Sequence, residues 1–497
     1  MNNNGPMSLK QKTLKGLFWS FLDSFGIYFI KFGFSIVIAR TLSPSDYGLM
    51  GMIVIFTAIG DMLVESGFSM ALIQKKDASD IDYSTVFWFN LSIAVIIYLV
   101  LFFSANLIAD FFNEPILTKI SRVTGLNIIL TSLRIVQLTV LSKKLNFKKQ
   151  TYINFASAAI SGIIGVVMAI KGYAVWALVF QTLAGSFIST IGFWMFNKWL
   201  PKLLFSFKSL KSMFRYGSNI LLQGATSVIF EKLYFPFIGK YFNSASLGFY
   251  TFANRFYRIF IRNTAIAYGR VSFPAFTLIQ NDLKRFNRNY FKVYRLLAFV
   301  MFPLSLFLIV TAKPFILVFL TEKWLSAVPL MQLFFTEGFF FALFLLNLNT
   351  FNAKGRSDIS FKVDMFKKAL MFISLFATYR FGIKALIIGQ VVSSFISFIL
   401  SSIVIQKTDG IKIFNEIKGL LLIAGFTLIL LTFDVLVIDR FIVANVYLLI
   451  FKTILLPFIY LLLCYLFKID VLYEFLSLIE NLVPVRIKGI FANKSTH

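Results

Sequence analysis

The sequence predicts an all-α polytopic membrane protein of about 14 transmembrane helices, built as two parallel six-helix lobes around a central cavity with two additional C-terminal helices. Three observations carry this expectation. The 497-residue chain is 58% hydrophobic and only 14% charged, more apolar surface than a soluble chain of this length hides. Apolar runs of about 18–25 residues recur from end to end, and each is long enough to cross a bilayer. The runs are solid rather than alternating, which argues against a transmembrane barrel. Finally, a ten-residue corner, ARTLSPSDYG at 39–48, returns in pattern as GKYFNSASLG at 239–248.

Taken in order, the expected spans are 17–38, 49–73, 84–110, 117–141, 151–170, 173–196, 214–238, 247–273, 290–312, 325–350, 361–379, 382–405, 417–437 and 442–467. The start, MNNNGPMSLKQKTLK, is polar and basic, and no small-residue cleavage site follows the first run. That run therefore reads as a span, not a removed signal. The spans group into an N-terminal lobe at 1–196 (spans 1–6), a cytoplasmic amphipathic linker at 197–213 and a C-terminal lobe at 214–405 (spans 7–12). Two additional spans (13 and 14) fill 406–467, and a cytoplasmic tail runs over 468–497. In the linker, Lys residues alternate with Leu, Phe and Trp, the composition of a segment lying on a membrane surface.

Charge then orients the spans. One set of loops, including KK at 75–76, SKKLNFKK at 142–149 and NDLKRFNRN at 281–289, holds about 26 cations. The opposite loops hold about 8, which places both termini in the cytoplasm. The net charge of +27 is accordingly an orientation and anionic-lipid signal, not a nucleic-acid signal.

The repeated corner fits this plan. In the first copy Ser43 is suited to cap a helix, with Pro44 as its first residue and Asp46 in the acidic position of a capping box. Asn243 suits the same role in the second copy. The 200-residue offset contains six spans, an even number, so the repeats are parallel, an arrangement typical of transporters that bind between two lobes.

Charges inside spans are costly and usually face a cavity or a partner. Arg255, Arg258, Arg262 and Arg270 project within about 120° on an ideal helix. Lys119, Arg122, Asn127, Arg134 and Gln137 fall within about 140° in the fourth span. The outermost members, Lys119 and Arg270, are suited to snorkel to the interfaces. Lys31 and Lys232 lie in the first and seventh spans. An aqueous cationic cavity between the lobes would gather Arg122, Arg134, Arg255, Arg258, Arg262, Lys31 and Lys232, and guanidinium groups suit phosphate or carboxylate. Acids are fewer. Asp61 and Glu65 share one face of the second span, and Glu231 adjoins Lys232. These three are candidates for H⁺ or Na⁺ coupling; Asp23, Glu337 and Asp364 also lie in or near spans.

The chemistry available is narrow. The one cysteine, Cys464, lies in an apolar run, and the one histidine, His497, ends the chain. No disulfide, metal cluster or histidine-based catalysis is expected. The longest outer loop, at 313–324, is too short to carry a polymerase or ligase centre. A multidrug or cation extruder is the competing transporter reading, but a cationic cavity repels cations.

Fourteen spans, the segment ARTLSPSDYGLMGM at 39–52 and a basic interior resemble the Wzx-type polysaccharide flippases, the oligosaccharide branch of a superfamily that includes multidrug exporters. The resemblance implies transfer of an undecaprenyl-pyrophosphate-linked oligosaccharide across the bacterial inner membrane by alternating access. The pathway would be O-antigen, capsule or exopolysaccharide synthesis. It implies no enzymatic activity and no cofactor beyond a coupling ion. The implied partners are the lipid-linked sugar, membrane lipids and polysaccharide polymerase machinery.

Overall fold

The computed structural model describes residues 26–65, 67–411, 417–434 and 444–482. The basic start, Asp23 and the tail with His497 lie outside them. Among the described residues every regular element is helical. The chain divides into two compact units, Met1–Thr251 and Phe252–His497.

The first unit holds α1 (26–41), α2 (Pro44–Glu65), α3 (Phe68–Gln74), α4 (Asp80–Phe112), α5 (Ile116–Lys143), α6 (Phe147–Ile170), α7 (Val175–Phe196), α8 (Phe207–Lys232) and α9 (Tyr234–Tyr241). α10 (Ser244–Tyr257) begins in the first unit and ends in the second. The second unit continues with α11 (Asn263–Leu278), α12 (Leu283–Phe319), α13 (Val328–Ala353), α14 (Ser357–Thr378) and α15 (Ile383–Asp409). The two additional helices are α16 (Ile417–Phe433) and α17 (Asn445–Leu466), followed by α18 (Asp470–Leu482).

Each expected span lies mainly on helix where it is described, with non-helical residues at some ends and breaks. Among the described residues nine helical stretches are long and apolar enough to cross a membrane, and the protein is a multi-pass membrane protein. The cation-bearing α8, the α10–α11 stretch and α14 are not among the nine, because each carries several charges. Most helices outrun their apolar runs. α4 starts at a capping box in which Ser79 N–H and Oγ–H donate to Asp82 at 2.8 and 3.0 Å, and it ends at Asn113 in the left-handed region.

Three expected spans are interrupted. α2 gives way to α3 at Gly67. α8 breaks at Leu233, because Pro236 has no N–H and its ring clashes with the carbonyl of Lys232. The eighth span contains a π-helical turn at Arg258–Arg262 between α10 and α11. The linker has no regular structure over 197–206 and is fastened to the start of α4. Trp88 Nε1 donates to the Lys202 carbonyl at 2.9 Å, and the amides of Lys202 and Ser206 donate to Ser84 Oγ and Thr85 Oγ1 at 3.0 Å each.

The units repeat each other's internal plan. After α5 the amides of Lys144, Leu145 and Asn146 donate to Val140, Ser142 and Leu141; 210 residues on, Lys354, Gly355 and Arg356 donate to Thr350, Asn352 and Phe351. Leu145 and Gly355 both take positive φ, +53° and +74°. Ala174 and Gly382, each the residue before the next helix, do so as well. The corners behave as the sequence predicts. Ser43 N–H and Oγ–H donate to Asp46 at 2.9 and 2.7 Å, and Asn243 Oδ1 accepts from the Ser246 amide at 2.7 Å. Outside this plan, α16 and α17 pack on α12 through Phe299, Leu306, Phe426, Leu430, Leu456 and Tyr460.

Candidate functional site

Polar side chains inside these helices collect in one cluster per unit. In the first unit the cluster joins α2, α5 and α7. Asn127 Nδ2 donates to Asp61 at 3.4 Å, while Asn127 Oδ1 accepts from Ser186 Oγ. Two turns along α5, Arg134 Nη1 donates to Ser189 Oγ at 2.9 Å, and its charge acts on both Glu65 and Asp61. Asn127 and Ser186 are buried, whereas Glu65 is exposed. The sequence places α2 acids and α5 cations on separate stripes; packing of α2 on α5 brings Asp61, Glu65 and Arg134 within each other's field.

The second unit has the equivalent rung with charge added. Ser394 Oγ of α15 donates to Glu337 Oε1 of α13 at 2.6 Å, and Lys367 Nζ of α14 lies 3.7 Å from the same oxygen. The Lys367 ammonium also sits over the rings of Phe341 and Phe344, 4.9 and 4.8 Å from their centroids. Arg262, at the end of the π turn, acts electrostatically on Lys367, and Asp364 pairs with Lys368 at 2.8 Å. Asn127 and Glu337 are 210 residues apart, and Ser186 and Ser394 are 208 apart. A second rung repeats ten residues on. Asn197 Nδ2 donates to Gln137 Oε1 at 2.7 Å, and Asn347 Nδ2 donates to Ser401 Oγ at 2.8 Å while its Oδ1 accepts from Tyr290.

The candidate residues are distributed as follows. Arg134, Asp61 and Glu65 belong to the first cluster. Arg122 does not join it: its Nε donates to the Phe102 carbonyl at 3.2 Å and its guanidinium covers the Phe102 ring at 4.5 Å, which ties it to α4. Twelve residues of helix, about 18 Å, separate Arg122 from Arg134. Lys31 is exposed on α1. Glu231 and Lys232 form a neighbouring ion pair at 3.1 Å, with the Lys232 ammonium near the Phe235 ring. Arg255, Arg258 and Arg262 are half-buried in the second unit. The π turn holds Arg258 and Arg262 at its two ends, and such turns are frequent at functional positions. It adds a residue to one turn, so the four arginines do not follow the single α-helical stripe expected from 100° per residue. Lys119 and Arg270 are exposed.

Lys367 and Ser394 are missing from the sequence-derived set. Lys367 falls early in the expected span 361–379 and so reads as an interfacial cation. α14 in fact starts at Ser357, which sets Lys367 nearly three turns inside the helix, with 7% of its surface exposed. An apolar cavity of about 670 Å³ also opens among α5, α6 and α7, lined by Leu126, Ile129, Met168, Phe180 and Phe187. No charged side chain lines it, so it suits apolar groups.

Comparison with known proteins agrees with this architecture. Residues 37–329 match the family described as polysaccharide biosynthesis protein. The chain is 26% identical over 411 residues to the lipopolysaccharide biosynthesis protein WzxC of Escherichia coli (strain K12), covering 82% of this chain and 80% of that one. It is also 26% identical over 382 residues to the teichuronic acid biosynthesis protein TuaB of Bacillus subtilis (strain 168), covering 76% and 78%. Among solved structures it superposes on the lipid II flippase MurJ in an inward closed conformation with a TM-score of 0.75 at 17% identity, over 91% of this chain and 99% of that one. An inward-facing multidrug resistance MATE family transporter of the MOP superfamily gives 0.61 at 13%, over 77% and 94%. With this fold, and with the match spanning more than half of its length, the chain belongs to the polysaccharide biosynthesis protein family, as the resemblance to Wzx-type flippases implied.

Proposed function

We propose that the protein moves an undecaprenyl-pyrophosphate-linked oligosaccharide from the cytoplasmic to the outer leaflet of the bacterial inner membrane by alternating access, with both termini in the cytoplasm. The obstacle to such a movement is desolvation of the charged, hydrated head group; the polyprenyl tail stays in lipid. The observation that carries the reading is the set of arginines within spans: Arg134 beside Ser189 in one unit, Arg258 and Arg262 on the π turn of the other. Guanidinium forks match pyrophosphate oxygens and lower the cost of its passage. A cation extruder would need acids or bare aromatics there instead. Asp61 and Glu65, held near Arg134, are assigned the coupling H⁺ or Na⁺. Relatives named for lipopolysaccharide and teichuronic acid synthesis support a glycan precursor as cargo.

Deleting the gene in a host without a redundant flippase tests this. Lipid-linked oligosaccharide should accumulate in the cytoplasmic leaflet and surface polymer should be lost. Restoring Arg258→Ala in place of the wild type should leave the protein in the membrane but export abolished. Normal polymer in the deletion strain would overturn the assignment; full export by Arg258→Ala would remove Arg258 from the path.

A further inference from the structure

The repeated corner has a packing role that its capping chemistry does not account for. A Cβ added at Gly48 would collide with the backbone carbonyl of Ser244, and one added at Gly248 would collide with the backbone carbonyl of Pro44. The first turns of α2 and α10 therefore cross reciprocally, each through the other's glycine. The crossing continues inward: a Cβ at Gly51 would stand 2.7 Å from Thr251 Oγ1, and one at Gly239 would meet Met52 and Leu247. Lys240 fastens the same end, donating to the Phe111 carbonyl at 2.5 Å over that residue's ring.

The far end of α2 is closed in the same manner. A Cβ at Gly67 would collide with the backbone of Gly217 in α8. Around it Phe68, Leu72 and Met213 form a buried cluster. About 26 Å of helix axis separates Gly48 from Glu65, close to the thickness of a bilayer's hydrocarbon core. The two crossings thus lie near opposite membrane faces. Each also shields a hydroxyl with no hydrogen-bond partner, Thr251 Oγ1 at one end and Ser69 Oγ at the other. Backbone packing favours closure of each crossing while an unmade hydrogen bond opposes it.

We infer that Gly48 with Gly248 and Gly67 with Gly217 form two opposed latches on α2, one at each membrane face, and that the transport cycle opens one while the other stays shut. The inference rests on the transport reading above only in requiring a cycle. Contact is through backbone atoms, so an added methyl at either site has no flexible side chain to displace and must part the helices.

The test uses the full chain with Cys464→Ser as background. Buried reporters are placed one at a time, Leu247→Cys (0% exposed) beside the first latch and Met213→Cys (3%) beside the second. An impermeant maleimide is applied from each membrane face. Gly248→Ala should raise Leu247→Cys labelling several-fold and lower Met213→Cys labelling; Gly67→Ala should do the reverse. Gly33→Ala, with nothing within 4 Å of its added Cβ, should change neither. Labelling that rises locally with no opposite change at the other end would overturn the inference, as would no change at all. Should Gly248→Ala fail gel filtration, Gly51→Ala presses on the same crossing through the Thr251 and Leu247 side chains only and must lower Met213→Cys labelling, or the inference fails. The readout involves no substrate, so an error in the assigned cargo would not alter it.

Discussion

Replacing Lys367 by Met should destabilise the protein more than replacing Lys367 and Glu337 together. The two side chains are 9% and 8% exposed, with Nζ and Oε1 3.7 Å apart. Removing the cation strands a buried carboxylate, a change that costs about 3–5 kcal/mol. Met keeps contact with the Phe341 and Phe344 rings, so the lost cation–π attraction adds only about 1 kcal/mol. Glu337→Met alone strands the ammonium and removes the acceptor for Ser394, at a similar cost. In the double variant no charge is left alone. The Ser394 bond and the cation–π attraction of Lys367 to the Phe341 and Phe344 rings are missing, about 2 kcal/mol together. For a unit of this size each kcal/mol shifts the melting temperature by about 2–4 °C. Lys367→Met should therefore melt about 8 °C or more below wild type, Glu337→Met about 6 °C or more below it, and the double variant well above the sum of the two, about 4–8 °C below wild type. Thermal melting of detergent-purified protein, followed by gel filtration with fluorescence detection, reads this directly. A Lys367→Met variant that melts with the wild type, or a double variant as low as the sum of the singles, would refute the pairing.

Further outcomes follow from local geometry. Ser43→Ala removes the capping hydroxyl of α2 and should cost about 1 kcal/mol, read as faster amide exchange at 45–47 with export retained. Asp82 is 3% exposed and accepts from Lys75 at 2.7 Å and Ser209 at 2.5 Å. Asp82→Ala leaves the buried Ser209 hydroxyl unsatisfied, at a cost of about 1–3 kcal/mol, and should expose the linker at Lys198 and Lys202 to trypsin. Arg134→Ala should lower export at least about tenfold, equivalent to about 1.4 kcal/mol of binding, with Arg134→Lys recovering part of the loss because the charge opposite Asp61 and Glu65 is kept.

Much of the fold was legible because its signals are local. An apolar run reports the cost of leaving it in water, whatever lies beside it. The capping box at Ser43 and Asp46 closes within three residues, so no partner element is needed to predict it. The site was only half legible. Arg134, Asp61 and Glu65 stand out as charges in apolar helices, and packing joins them. Lys367 did not stand out, because the edge of an apolar run is a poor guide to where a helix starts. Arg122 stood out for its charge, yet it is tied to α4 through Phe102.

By itself, then, the sequence determined that the chain crosses a membrane many times, where most of its helices lie and which corner recurs. The tertiary structure decided which charges meet: Asp61 with Asn127, 66 residues apart, and Glu337 with Ser394, 57 apart. It also decided that Pro236 and the π turn interrupt two long helices, and that Gly48 and Gly248 serve a crossing of helices as well as a turn. The difference is physical. Hydropathy and capping depend on a residue and its near neighbours. Pairing and close approach depend on the register between packed helices, and one extra residue in a single turn changes that register for everything beyond it.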